Sequence, residues 1–362
     1  MKRFNCFKYT KHALLLSLLF FVHQLSIAQG TPAALFETDD VLHLKLSGNI
    51  KELFNDRGDD AKYHPLVLSY TSKDSTEHAF SAKAKTRGHF RKDKNNCFYP
   101  PILLNFQNSD HASTLFQDQN KLKLVTSCRG EKYVIHEYLV YKLYNLLSPK
   151  SFRARLVLAT FYDTIRKKET SFYSILLEDA QQMAKRNGLT VLSSKRMQVQ
   201  SVELESFLKM AVFQYMIGNT DWSVEYLHNI KPLAFDSLSI PYVVPYDFDH
   251  AGIVDAPYAL PAKELELNST HQRRYRGYCI PDMNTYNKII TTFNQLKADF
   301  YDVYTNCPYL DEKYVSATIK FLDQFYETIN APQKVNAAFS YPCNKNVPKI
   351  IIGGLETSGT DD

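Results

Sequence analysis

Three segments decide the fold of this chain: Gly218-Asn219-Thr220-Asp221-Trp222, Leu227-His228-Asn229 and Pro245-Tyr246-Asp247-Phe248-Asp249. In chain order they supply an aspartate, an asparagine and an aspartate pair, beside the ends of predicted helices and strands. Carboxylate and amide oxygens in such places can hold a divalent cation, and phosphate oxygens can complete its coordination shell. The sequence therefore predicts a site for Mg²⁺, or Mn²⁺, with ATP as a substrate.

The first residues, 1–28, have the pattern of a secretory signal peptide. A positively charged start is followed by an apolar run over residues 13–22 and by the small-x-small sequence Ser26-Ile27-Ala28. The alternative is a membrane anchor, although the apolar run is short for a membrane span. We therefore expect an exported protein, periplasmic or extracellular, whose mature part has no transmembrane segment.

The charge of the chain argues against a nucleic-acid partner. The formal net charge is +5, and the signal segment holds four lysines and arginines but no acidic residue, so the remainder is near +1. A nucleic-acid-binding domain needs a clearly basic surface. The expected partner is instead a protein acceptor or a component of the cell envelope, and the oligomeric state is left open.

Apolar periodicity predicts a β-rich N-lobe over residues 41–180, after a leader over residues 29–40. Alternation with a period of two residues indicates strands. The expected strands cover residues 41–46, 66–70, 78–87, 102–106, 122–126, 156–162 and 170–177. One embedded helix is predicted over 133–147, where apolar residues recur at helical spacing.

A mainly helical C-lobe is predicted over residues 181–350, followed by a flexible tail over 351–362. A helix over 202–217 ends at Gly218, and residues 286–329 are mostly helical with Pro332 closing them. Short strands are expected at 227–233 and 240–244, so a catalytic-loop-like segment runs from 218 to 252. This segregated pattern is α+β with two lobes, and a nucleotide site is expected between them.

Five cysteines follow the signal segment: Cys97, Cys128, Cys279, Cys307 and Cys343. An oxidising compartment permits disulfides, and an odd number leaves at least one cysteine free or paired between chains. Cys279 and Cys307 flank one helical segment and are plausible partners. The sequence leaves the full pairing open.

Asp247 and Asp249 are the predicted metal ligands, because they follow a short strand where it runs out into a loop. Mg²⁺ prefers one or two protein carboxylates together with phosphate oxygens. Asn229 is expected to add its amide oxygen as a further metal ligand. The alternative is that the two aspartates only cap turns.

Asp221 is the predicted catalytic residue. It lies just past the end of the helix at Gly218, where an exposed carboxylate can accept the proton of an acceptor hydroxyl. The alternative is that Asp221 only begins an Asx-turn. His228 is interpreted as a hydrogen-bonded structural histidine and is not assigned to the metal.

The phosphate-binding cations are expected from the β-rich half. Lys121 and Lys123 face the same side of one strand, and Glu137 on the following helix is expected to fix one of them by an ion pair. The alternative is two solvated lysines and a surface glutamate. Arg87, in the basic loop from 87 to 91, is a further candidate, since arginine forks can bind phosphate. A second basic cluster, residues 273–278, is either an acceptor or phosphate clamp or an interaction surface.

These segments resemble those of the CotH kinase-like family, the spore-coat-protein-H type of atypical protein kinase. The resemblance covers most of residues 80–260. It is carried by Thr86-Arg87-Gly88-His89, the strand-helix unit from Lys121 to Leu143, the segment from Gly218 to Asn229, and Pro245 to Asp249 with Ala251-Gly252. It implies a bilobal protein-kinase-like fold and transfer of the ATP γ-phosphate to a protein. By the same resemblance Asp221 is the base, Asp247 a metal ligand and Asn229 a supporting ligand.

The chain departs from the ordinary kinase pattern in three ways. Asp249 replaces the glycine of a DFG sequence, no glycine-rich phosphate loop is present, and Asp221 is further from Asn229 than the usual spacing of about five residues. Two other functions therefore stand beside a phosphotransferase. One is a catalytically inactive kinase-fold binding protein of the cell envelope, and the other is a metal-dependent transferase acting on a glycan.

Overall fold

A computed structural model describes residues 34–107 and 110–344 of the chain. The predicted signal peptide and the predicted tail lie outside the described residues. Within them the fold is α+β, with a β-rich N-terminal part and a mainly helical C-terminal part, as the sequence predicted.

Seven strands of the described chain close into a barrel. They are β1 (Leu42–Gly48), β2 (His64–Thr71), β3 (Glu77–Thr86), β4 (Ile102–Asn105), β5 (Lys121–Val125), β6 (Ala154–Asp163) and β7 (Lys168–Leu177). Their order is β1-β2-β3-β4-β5-β7-β6, and a parallel pairing of β1 with β6 closes the ring. Buried and exposed side chains alternate along β2 and β3, so one face of each strand fills the barrel with apolar residues.

Two helices accompany the barrel. The short α1 (Ile50–Asn55) follows β1, and α2 (Glu131–Leu147) connects β5 to β6. The sequence pattern did not indicate α1, whereas it placed α2 to within two residues. α2 packs on β6 and β7 and is buried on most of its circumference, so its polar side chains are enclosed together with its apolar ones.

The C-terminal part consists of helices around a small antiparallel sheet. The helices are α3 (Ala180–Arg186), α4 (Leu204–Ile217), α5 (Asn287–Gln295), α6 (Lys297–Thr305), α7 (Glu312–Ile329) and α8 (Pro332–Phe339). The sheet contains β8 (Thr190–Val191), β9 (Ile230–Ala234) and β10 (Tyr242–Pro245), in the order β10-β9-β8. Gly218 ends α4 with a φ of 69°, the left-handed conformation expected of a C-cap glycine.

Two expectations for the C-terminal part are wrong. Pro332 does not close the helical region but begins α8, because the first turn of a helix needs no N–H from proline. The strand expected from residue 227 begins only at Ile230. Leu227 and Asn229 have φ values of 53° and 54°, which are incompatible with an extended strand.

The disulfide pairing differs from the partners that the sequence suggested. Cys279 bonds to Cys343 and not to Cys307, while Cys97 bonds to Cys128. Cys307 is the free cysteine of the described residues. Residues 279 and 307 are separated by two helices, whereas the chain returns to Cys279 after α8. Two disulfides are consistent with an oxidising compartment.

Within the described ranges, none of the helices combines the length and the apolarity that a membrane crossing requires.

Candidate nucleotide and metal site

The ends of α4, β9 and β10 bring the predicted polar residues to one place. Asp221 follows α4, Asn229 precedes β9, and Asp247 follows β10. The N–H of Tyr246 donates to the carbonyl oxygen of Asn229 at 3.0 Å, which ties the second segment to the third. The barrel side contributes Glu137 from α2 and an arginine from the loop after β3.

That arginine is Arg91, which lies among three carboxylates. Its Nε donates to Oδ2 of Asp249 at 2.7 Å, and its Nη2 donates to Oε2 of Glu137 at 2.7 Å. Nη2 also lies 3.6 Å from Oδ1 of Asp247. Arg91, Glu137 and Asp249, here called the Arg91 cluster, are all buried. The cluster joins the loop after β3, helix α2 and the loop after β10 in one ionic contact.

The charges of the Arg91 cluster do not balance. Burial opposes the charge of Arg91, but Asp249 and Glu137 hold its pKa above the ordinary value. Burial likewise opposes ionisation of Asp249, yet Arg91 lowers the pKa of Asp249 to about 2. Burial raises the pKa of Glu137 to about 8, with the negative charges of Asp249 and Asp247 adding to the effect. A single guanidinium therefore does not hold both carboxylates ionised: at neutral pH Asp249 is charged and Glu137 is mainly protonated.

Asp247 is the open carboxylate of the site. Its side chain is 49% exposed, although the surrounding protein still desolvates it enough to raise its pKa, with a further contribution from Asp249. Its N–H donates to the hydroxyl of Tyr141 at 3.0 Å. This contact fixes the backbone while the carboxylate points into accessible space.

Asp221, His228 and Asn229 form a second group, here called the Asp221 cluster. Oδ1 of Asp221 lies 2.9 Å from Nε2 of His228, and Nδ2 of Asn229 donates to Oδ2 of Asp221 at 3.1 Å. Burial alone would raise the pKa of Asp221, but the hydrogen bond from His228 and the charges of His228 and His250 together outweigh it, and the pKa is lowered. Burial would lower the pKa of His228, and Asp221 raises it instead. At neutral pH Asp221 is therefore an ionised proton acceptor.

Strained backbone marks the same segments. Leu227, Asn229 and Asp247 have φ values of 53°, 54° and 61°, in the left-handed region that side chains with a Cβ avoid. Such conformations cost of order 1–3 kcal/mol each and persist where the surrounding structure determines them. Asn229 and Asp247 are two of the predicted metal ligands, so the strain coincides with the predicted site.

The predicted phosphate-binding cations lie at different distances from this centre. Nζ of Lys123 lies 5.3 Å from the ring centroid of Tyr246, next to Asp247 in the chain. Lys121 is two residues earlier on β5, opposite Asn105. Arg87 is near enough for its charge to lower the pKa of Asp247. Glu137 forms its ion pair with Arg91, whereas the sequence pattern predicted a pair with Lys121 or Lys123.

Two cations near the site, Arg91 and Lys231, were not among the predicted site residues. Arg91 ends the basic loop from residue 87, but nothing in that loop indicates which arginine turns inward. Lys231 on β9 lies with its Nζ 5.6 Å from the Tyr246 ring centroid, on the same ring as Lys123. Its position two residues after Asn229 indicates only that it lies near the site.

The residues of the second basic cluster, 273–278, turn toward backbone carbonyls. Nε of Arg273 donates to the carbonyl oxygen of Met216 at 3.1 Å, and Arg276 donates to those of Thr220 and Trp222. Burial lowers the pKa of Arg276 to about 10, so it stays charged at neutral pH. Arg276 thus braces the loop that carries Asp221, and Arg273 ties the same segment to the end of α4.

The donor set around Asp247 suits a hard cation that also binds phosphate. Among the described residues there is no group of three or more His, Cys, Asp or Glu side chains that could hold a metal. A magnesium site made of one carboxylate, an amide oxygen and nucleotide oxygens needs no such group. Asp249 already accepts a hydrogen bond from Arg91 through Oδ2 and is also hydrogen-bonded to Tyr258, so Asp247 is the better-placed carboxylate for a cation.

No family model and no curated protein matches this sequence. Among solved structures, the chain is similar to the Helicobacter pylori proinflammatory kinase CtkA, with a TM-score of 0.39 and 10% identity over 66% of this chain and 91% of that one. It is also similar to the Golgi casein kinase, with a TM-score of 0.35 and 11% identity over 89% of this chain and 79% of that one. A second structure of that kinase, with Mn and ADP bound, gives a TM-score of 0.32 and 12% identity over 81% and 73%.

These three structures are kinases, but their TM-scores are all below 0.5. The function is therefore inferred from the side chains of this chain. The finer assignment to the CotH kinase-like family stays a prediction.

Proposed function

We propose that this chain is an exported kinase-like phosphotransferase that moves the γ-phosphate of ATP to a hydroxyl of a protein acceptor. One observation carries the proposal. Arg91 joins Glu137 of α2 to Asp249 in a buried contact, directly beside an open carboxylate, Asp247, with the Asp221 cluster near it. Kinases depend on a cation–glutamate pair beside a metal-binding aspartate.

Each residue has a distinct role in this proposal. Asp247 and the amide oxygen of Asn229 hold Mg²⁺ or Mn²⁺, which neutralises charge on the phosphate oxygens when bound. The roles proposed for Lys123 and Arg87 are contacts to the phosphates, with Lys121 as the alternative strand lysine. Asp249 contributes mainly by holding Arg91 and only secondarily as a metal ligand.

The proposed proton acceptor is Asp221. It takes the proton of the acceptor hydroxyl as the new phosphorus–oxygen bond forms and the bond to the bridging oxygen of the nucleotide breaks. His228 holds one oxygen of Asp221 and Asn229 holds the other, so the carboxylate has a defined orientation. A lowered pKa keeps Asp221 ionised and ready to accept a proton at neutral pH.

A nucleotide-binding test separates this proposal from the glycan alternative. Thermal unfolding is followed with and without millimolar ATP, with and without Mg²⁺, and with sugar nucleotides in place of ATP. A ligand at about 100 times its Kd adds about 2.7 kcal/mol, so we expect Mg²⁺-ATP to raise Tm by several degrees. Asp247→Ala should abolish the rise, whereas Asp302→Ala, an exposed aspartate on α6, should retain it.

The proposal fails if Mg²⁺-ATP leaves the Tm of the wild type unchanged, or if Asp247→Ala shifts as much as the wild type. A larger rise with a sugar nucleotide than with ATP would favour the glycan transferase.

A non-catalytic binding protein is the second candidate, and one specific observation favours it. Nη2 of Arg91 lies 3.6 Å from Oδ1 of Asp247, so the guanidinium already neutralises part of the charge that a metal would neutralise. In that case the Arg91 cluster is a permanent internal ion group. This candidate predicts no nucleotide-dependent change in Tm and an unchanged envelope function after Asp247→Ala.

A further inference from the structure

The loop over residues 219–222, which carries Asp221, is held by side chains. It belongs to no helix or strand, yet each of its four carbonyl oxygens accepts a hydrogen bond from a side chain. The acceptor–donor pairs are Asn219 O with Trp222 Nε1 at 3.3 Å, Asp221 O with Asn229 Nδ2 at 2.8 Å, and Thr220 O and Trp222 O with Arg276 Nη1. Regular structure normally supplies these partners, so here side chains determine the path of the backbone.

Arg276 has a special place among these donors. A single nitrogen of its guanidinium bonds the carbonyls on both sides of Asp221, and its Cζ lies 5.2 Å from the ring centroid of Trp222. The guanidinium therefore holds the peptide plane before Asp221 and the one after Trp222, and Asn229 holds the plane between Asp221 and Trp222. The direction in which the Asp221 side chain leaves the backbone depends on the two planes that flank it, the first of which Arg276 holds directly.

The segment that carries Arg276 is itself anchored at both ends. Before it, Arg273 donates to the carbonyl oxygens of Met216 and Phe321. Within it, the hydroxyl of the buried Tyr275 accepts from that of Tyr286 at 3.1 Å. After it, Cys279 is bonded to Cys343. Arg276 thus projects from a support that does not depend on the loop it holds.

We propose that Arg276 is the positioning residue for Asp221, acting through the two carbonyls beside it. The catalytic consequence rests on the proposed function, because it assumes that Asp221 accepts the proton of the acceptor. A misplacement of about 1 Å at a catalytic group can lower the rate by about 10²-fold. Loss of Arg276 therefore lowers kcat and leaves nucleotide binding, which depends on Asp247 and the cations of the barrel side, nearly unchanged.

Trp222 supplies a readout that is independent of activity. It is the only tryptophan of the chain and is 3% exposed, directly after Asp221 and within reach of Arg276. Its fluorescence therefore reports the loop over residues 219–222 and no other part of the protein. Movement of the loop toward solvent shifts the emission to longer wavelength and increases quenching by acrylamide.

The experiment compares wild type, Arg276→Ala and Arg276→Lys in the full chain. Arg274→Ala is the matched control, since it removes the same charge from the same segment and Arg274 packs over Tyr341. For Arg276→Ala we expect a red shift of Trp222, increased quenching, a fall in kcat of about 10²-fold and a change in KM for ATP below about twofold. Arg276→Lys keeps the charge and should be intermediate in all of these, and Arg274→Ala should match the wild type.

The outcomes keep this inference apart from the proposed function. If neither the wild type nor any variant transfers phosphate, the proposed function fails. The fluorescence of Trp222 still decides whether Arg276 holds the loop. Unchanged Trp222 emission and quenching in Arg276→Ala would overturn the inference, as would an effect on KM alone. If Arg276→Ala does not fold, Arg276→Lys gives the decision, and equal values for it and the wild type in kcat and in quenching would overturn the inference.

Discussion

The Arg91 cluster and the Asp221 cluster lie beside the same open carboxylate but differ in burial and charge. The side chains of Arg91, Glu137 and Asp249 are 8%, 2% and 6% exposed. Those of Asp221 and His228 are 32% and 22% exposed. The first cluster contains a permanent cation, whereas the second contains a histidine and an amide, whose interactions with Asp221 need no permanent charge.

This difference separates two tasks that one site has to perform. A buried ion group is costly to desolvate, and removing one member leaves an uncompensated charge, so it fixes the relative positions of the elements that contribute to it. A partly exposed carboxylate held by a histidine and an amide can gain and lose a proton at little cost to the fold. We infer that the Arg91 cluster sets geometry and that the Asp221 cluster performs the chemistry.

The largest effect is expected on replacing Arg91 by methionine. Arg91→Met leaves Glu137 and Asp249 buried without their cation, and breaking a buried pair in this way typically costs about 3–5 kcal/mol. The free energy of unfolding, measured by urea denaturation at pH 7, should fall by that amount. The effect should grow above pH 8, where Glu137 is ionised.

Two variants serve as controls for Arg91→Met. Arg166→Met changes an exposed arginine in the turn between β6 and β7 and should alter the free energy of unfolding by less than about 0.5 kcal/mol. The double variant Arg91→Met with Asp249→Asn removes one uncompensated charge and should recover part of the loss. A loss below about 1 kcal/mol in Arg91→Met would show that the Arg91 cluster does not hold the fold.

The strands of the barrel, though not its closure, were predictable from the sequence because each strand carries its own signal. In β3, for example, buried and exposed residues alternate over most of its length, and this period is visible in the sequence alone. Gly218 likewise indicates the end of α4 from the local sequence alone. The fold class and most element positions therefore follow from short windows of sequence.

The Arg91 cluster was not predictable in this way. Glu137 and Asp249 lie 46 and 158 residues after Arg91 in the chain. Arg91 itself lies in a basic loop whose sequence is typical of a solvated surface. The contacts that hold Arg91 inward come from α2 and from the loop after β10, which no local pattern encodes. For the same reason Asp249 was assigned only to the metal and Glu137 to a lysine.

The next effect in size concerns His136, which precedes Glu137 on α2. Its Nδ1 lies 2.8 Å from the carbonyl oxygen of Val254, and its ring stacks on Tyr314 with 3.5 Å between centroids. Burial lowers the pKa of His136 to about 4, so the folded protein binds its proton more weakly than the unfolded chain, where the pKa is about 6.5. Stability from this residue is complete above pH 6.5 and is lost as the pH falls toward 4.

A pH series tests this expectation. Between pH 7 and pH 5.5 the titration of His136 should lower the free energy of unfolding by about 1 kcal/mol. His136→Gln cannot be protonated and should lose that part of the pH dependence, whatever its stability at pH 7. His43→Gln changes an exposed histidine on β1 and should keep the pH dependence of the wild type. Equal slopes for wild type and His136→Gln would contradict the assignment of His136 as a neutral buried contact between α2 and the C-terminal part.

The smallest effect on stability is expected in the Asp221 cluster. Asp221→Asn keeps the shape of the side chain and one acceptor oxygen, and it removes a partly exposed charge pair with His228, worth at most about 1 kcal/mol. Urea denaturation should therefore detect little change, and Mg²⁺-ATP should still raise Tm, while phosphate transfer is lost because an amide accepts no proton. A loss of stability as large as that of Arg91→Met would place both clusters in the same structural role. If Asp221→Asn transfers phosphate at the wild-type rate, Asp221 takes no part in the chemistry. The contrast between the two clusters requires the Asp221 cluster to matter for turnover and hardly for folding.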